Sequence, residues 1–103
     1  MITLRGNEME VVMMHVNYLI FWANTASKSM KLYQEKSEKY GYLSINKADA
    51  AVLLTQIERC IATIDVKDLS LDRKSCYCSH LGMFYPIKMI STAKKVVKKL
   101  RSL

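Results

Sequence analysis

A chain of 103 residues with three glycines, one proline and half of its residues apolar has material for one packed core and one domain, residues 1–103. So few turn formers exclude the turn-rich sandwiches and barrels, and three cysteines, an odd number, argue for reduced thiols in a cytosolic protein rather than a disulfide scaffold. The formal charge of +7 sits almost wholly at one end: from Pro86 to Leu103 there are six cations and no acid, and the preceding residues carry a net of only +1.

In chain order, the first predicted element is one long helix from Glu8 to Lys39. Asn7 with Glu10 forms a capping-box pattern ahead of a seven-residue apolar repeat. Met9, Val16, Ala23 and Met30 hold one core position of that repeat, and Val12, Leu19, Ala26, Tyr33 and Tyr40 hold the other. Gly41 supplies a C-cap. Before Ala26 the off-seam positions are apolar too, including Val11, Met13, Met14, Tyr18, Ile20, Phe21 and Trp22. A helix apolar all round must be covered all round, and so short a chain has little with which to cover it. The apolar run Val11 to Ala23 falls short of the roughly 20 residues of a membrane-spanning helix. His15 and Asn17 interrupt it, and the flanks lack the features of a signal peptide.

Asn46 with Asp49 predicts a second cap, opening a helix from Lys47 to Ile64 whose core residues include Ala50, Leu53, Ile57 and Cys60. Between Asp65 and Gly82 the pattern weakens, and Asp65 or Asp68 caps a short third helix carrying Leu69, Cys76 and Leu81. Pro86 fits the first turn of a final helix. Its apolar face is Met89, Ile90, Ala93, Val96, Val97 and Leu100, and Lys88, Lys95 and Lys99 line the other side. The fold expected from these elements is all-α, an antiparallel three- to four-helix bundle with a long first helix as its spine.

Few residues invite chemistry. Cys76, Cys78 and His80 would share one face of an extended segment and offer two thiolates and an imidazole. Zinc pairs are usually spaced two to four apart, however, and alternate residues on a helix diverge. Two small thiols and a surface histidine are the simpler reading, with no metal. His15 reads as a core-edge or interface residue. No Glu-x-x-His pair, glycine-rich phosphate loop or nucleophile elbow is present, so neither catalysis, a cofactor nor a small-molecule substrate is expected. The expected function is that of a small non-enzymatic cytosolic regulator (an adaptor, inhibitor or immunity-type antagonist). It would bind a protein partner, or a second copy of itself as a dimer, through Met13, Met14, Tyr18, Phe21 and Trp22. The alternative is a nucleic-acid-binding regulatory protein using Lys88, Lys94, Lys95, Lys98, Lys99 and Arg101, a set that would also suit an acidic partner.

Overall fold

The computed structural model describes residues 1–103. In order, the elements are β1 (Ile2–Leu4), α1 (Gly6–Phe21), α2 (Lys28–Lys31), α3 (Tyr33–Tyr40), β2 (Leu43–Ile45), α4 (Lys47–Thr63), β3 (Ile64–Leu69), β4 (Ser75–Cys78), β5 (Met83–Pro86) and α5 (Ile87–Arg101). Five helices combine with two antiparallel sheets, one of β1 and β2 and one of β3, β4 and β5 in that order. The protein is mixed α and β. The helical bundle expected from the sequence is overturned.

The long first helix is overturned as well. It stops at Phe21, and the chain turns through Asn24 at a φ of 52°, a left-handed conformation that asparagine tolerates better than most residues. Ala23 N–H bonds back to the Tyr18 carbonyl and Thr25 N–H to that of Leu19, so the last turn is closed off rather than frayed. Ser27 then caps a new start, its hydroxyl accepting from Met30 N–H at 3.1 Å. The break lets α3 fold back instead of running on into solvent, so that Met30 and Tyr33 are buried on a different axis from the stripe of α1. The capping box at Asn7 and Glu10 does not form. The helix begins at Gly6, whose positive φ turns the chain out of β1, and the residue before it gives no side-chain cap.

The segment expected to hold a third helix is a β-meander. Cys76 and Cys78 on β4 and Tyr85 on β5 alternate into the core, while Tyr77 and Phe84 pair across the outer face. Gly82, again at positive φ, closes the turn between these strands with its N–H on the Cys78 carbonyl. In the smaller sheet Leu4 lies opposite Leu43 and Ile2 opposite Ile45, with Thr3 and Ser44 facing outward. Three readings stand: the αL cap at Gly41, the Asn46 cap on α4, and α5 following Pro86. One apolar core of 21 residues runs from Leu4 to Leu100, fed by both sheets and by every helix.

Asp49 joins the two halves of the chain. Its backbone N–H takes the Asn46 cap at 2.8 Å, and its carboxylate is almost wholly buried. That carboxylate accepts from Ser27 Oγ at 2.8 Å, from Ser29 Oγ, from Tyr33 Oη and from Asn46 Nδ2 at 3.4 Å. Burial opposes its charge, but the bonds from Ser29, Tyr33, Ser27 and Asn46 outweigh burial and hold the pKa below the ordinary value. The Asp49→Ala variant leaves three hydroxyls without a buried acceptor and is expected to lose about 3 kcal/mol, whereas Tyr33→Phe removes one bond and loses about 1.5 kcal/mol. Urea denaturation of the two variants beside the parent checks the ranking.

Candidate functional site

The residues expected to form one apolar docking face are dispersed by the fold. Met13 is 8% exposed, and Met9, Met13 and Met14 line a groove that Gln34 and Ser37 of α3 cover from the other side. Tyr18 is half-buried, its hydroxyl reaching the His80 carbonyl at 3.5 Å and its ring lying 5.9 Å from the His80 imidazole. The last two residues of the set are different. Phe21 and Trp22 are 75% and 76% exposed, side by side at the end of α1. Their backbone is fixed, since Trp22 N–H bonds to the Tyr18 carbonyl at 3.0 Å. The α3 hairpin and the β4–β5 turn thus cover most of the apolar band of α1 and leave an aromatic corner uncovered.

The basic helix divides in a comparable way. α5 packs between α1 and α4, and its flanking cations reach across to both. Lys99 Nζ lies 2.7 Å from Glu8 Oε2, and an Arg101 guanidinium nitrogen lies 2.9 Å from Glu58 Oε2. Those two cations stitch the helix to its neighbours. Lys88, Lys94, Lys95 and Lys98 are exposed and make no ion pair. The fold brings up two further cations that no pattern in the sequence marks. Arg73 and Lys74, in the turn between β3 and β4, line one cleft with Ser75, Pro86, Ile87 and Lys88. The link is a single backbone bond, Ile87 N–H to the Lys74 carbonyl at 2.9 Å. Nothing in the local sequence announces it, because it depends on the β-meander, a segment whose sequence pattern predicts helix.

A second apolar surface also went unread. Leu69, Leu71 and Phe84 border a cleft beside the outer face of the larger sheet, where Tyr77 and Phe84 meet edge to face at 5.6 Å. Leu71 is at the turn tip and fully in solvent.

The triad of Cys76, Cys78 and His80 is not assembled. Both thiols point into the core from β4, and Cys78 Sγ meets Cys60 Sγ of α4 at 3.3 Å. His80 lies beyond the strand, where its Nε2 is 2.7 Å from Gln56 Oε1. No group of three potential ligands converges on a point that could hold a metal ion. All three thiols are free and buried, and burial, with Cys78 beside it, pushes the Cys60 thiol well above its usual pKa.

His15 is enclosed completely, with its Nε2 3.3 Å from the hydroxyl of Tyr85, itself buried on β5. Burial and, secondarily, the nearby charge of His80 pull its pKa down to about 4. Burial likewise pushes Tyr85 up, with the Cys60 and Cys78 thiols adding to the shift. At neutral pH the pair is therefore an uncharged hydrogen bond within the core.

No family model, no curated protein and no solved structure matches this chain.

The His15 shift has a measurable signature. The unfolded imidazole takes a proton near the ordinary 6.5, while the folded one stays neutral until about 4. Stability is therefore complete above pH 6.5 and drains away between 6.5 and about 4, by up to roughly 3 kcal/mol. His80, lowered by its own burial and by Arg59, acts in the same direction. Asp49 is held below its ordinary 3.8 and weakens the fold only in more acid solution. Urea midpoints measured from pH 8 to pH 4 are expected to fall steeply in the parent and to flatten in His15→Gln, with His80→Gln giving a smaller change.

Proposed function

We propose that this chain is a small non-enzymatic binding protein, an adaptor or antagonist acting in the cytosol, that grips a protein partner or a second copy of itself through Phe21 and Trp22. The observation that carries the reading is the exposure of those two adjacent aromatics, each about three-quarters in water, on backbone that is hydrogen-bonded in place. Large aromatics contribute most of the energy at protein interfaces because they bury much area with few rotors to freeze. Neither ring contributes appreciably to the core of the free protein. The core residues with reactive side chains, Cys60, Cys78, His15 and Tyr85, are sealed from solvent, and burial holds His15, Cys60 and Tyr85 neutral, which supports binding over catalysis.

Trp22 is the only tryptophan, so its fluorescence reports on this corner alone. If the partner is a second copy, emission shifts to the blue as chain concentration rises, in step with a doubling of mass by light scattering. If the partner is another protein, a photo-crosslinking amino acid at position 21 captures one discrete protein in cells, and Trp22→Ala abolishes the adduct. Phe21→Ala and Trp22→Ala change folding stability by no more than about 0.5 kcal/mol, as expected for exposed positions. Monomeric behaviour at high concentration, together with no crosslink from position 21 above a control placed at Glu35, sinks the reading.

A further inference from the structure

We propose that Arg73, Lys74 and Lys88, continued along α5 by Lys95 and Lys98, form a binding surface for the phosphodiester backbone of a nucleic acid. Arg73, Lys74 and Lys88 border a single cleft with Ser75, Pro86 and Ile87, and no carboxylate lines it. From Lys88 the row runs along the exposed side of α5, with Lys95 two turns on and Lys98 one turn further, a run of about 15 Å. Lys94 flanks it, and all of these side chains are exposed without an ion pair.

The surrounding acids leave this row open. Asp72 is turned into its own loop, where its Oδ1 accepts from Ser70 Oγ at 2.7 Å and from Lys74 N–H at 3.0 Å. Glu8 pairs with Lys99, and Glu58, which pairs with Arg101, borders a cleft with Lys94 and Lys98 and marks the far end of the row. Glu10 borders the neighbouring cleft with Asn7, Lys88, Met89 and Thr92, and marks where the positive surface ends. Nearly all of the net charge of the chain therefore falls on one surface built from two elements, held together where Ile87 N–H meets the Lys74 carbonyl.

The geometry favours a polyanion of regular spacing over an anionic membrane. An amphipathic helix that binds bilayers must sink its apolar side among the lipids. On α5 that side, Ala93, Val96, Val97 and Leu100, is buried in the protein core. Cations standing on rigid elements in a row suit successive phosphates, each contact releasing a condensed counterion. Lysine supplies nearly all of the charge, and base-edge reading calls mainly for Arg, Asn and Gln, so sequence preference is weak.

Fluorescence anisotropy with a labelled duplex DNA and a labelled single-stranded RNA, titrated across a series of salt concentrations, tests this. With about five phosphates contacted, the logarithm of the association constant falls against that of salt with a slope near −4.5 for the duplex and near −3.5 for the single strand. Which of the two binds more tightly identifies the source of the backbone. Lys74→Gln with Lys88→Gln makes the duplex slope shallower by about 2, since each lost contact removes about 0.9. Lys28→Gln with Lys31→Gln, which removes the same charge from α2, leaves it unchanged. All four positions are exposed, and circular dichroism confirms that both variants stay folded. Three results overturn the proposal: no binding to either probe at the lowest salt, an equal loss of slope in both double variants, or binding to phosphatidylserine vesicles without binding to nucleic acid.

Discussion

A carboxylate removed from water must recover inside the protein the hydrogen bonds it leaves outside. At Asp49 the chain recovers them from Ser27, Ser29 and Tyr33, three hydroxyls lying far earlier in the sequence, and from its own cap residue Asn46. Three of the donors come from the segment that replaces the end of the expected straight helix, and the fourth is the residue that caps α4. Continuing α1 unbroken would carry those hydroxyls away from Asp49 and leave a charge buried without partners. The carboxylate thus fixes where α1 ends, how α2 and α3 return, and where α4 begins.

Two consequences follow for the surface. Because α3 is tied down beside α1, it covers the methionines of the first half of that helix, and Met13 ends as core. Because the chain turns away after Phe21 to reach Asp49, nothing remains to cover Phe21 and Trp22. The same return exposes the aromatic corner that carries the proposed function. Polar groups elsewhere in the core follow the opposite rule to Asp49. His15, Tyr85 and Cys60 have too few partners around them to support charge, and burial keeps them neutral.

Elements specified by local chemistry were legible in the sequence. Asn46 caps because its side chain reaches an amide three residues on, Gly41 caps because it accepts a left-handed φ, and α5 shows an apolar face repeated over four turns. The strands were not legible. Each has three to six residues, too few for alternation to rise above chance, and Leu69 and Cys76, on adjacent strands, lie seven residues apart, a spacing that also suits a helix. The break after α1 did leave a signal, an asparagine followed three residues later by a serine that caps, but the heptad count ran across it because Ala23, Ala26 and Met30 happened to stay in phase. The donors to Asp49 could not be found by pattern, since their meeting is a tertiary fact. The candidate surfaces show the same division. Phe21, Trp22 and the lysines of α5 were visible as residue types in place, whereas Arg73 and Lys74 acquire meaning only through the bond that seats their turn against the start of α5.

The two surfaces are far enough apart to act together. Glu10, which borders a cleft with Lys88, and Phe21 are eleven residues apart on the same helix, about 16 Å along its axis. A backbone lying along α5 and a protein gripping the aromatic corner would each leave the other in place. The helix between them is packed against both α4 and α5, so little freedom is lost on binding at either end. A rigid spacer presenting a cationic row at one end and an aromatic anchor at the other is suited to holding two partners at a fixed separation. In that arrangement the aromatic anchor would supply the affinity for the protein partner, and phosphate contacts that release counterions would supply the salt-sensitive affinity for the nucleic acid.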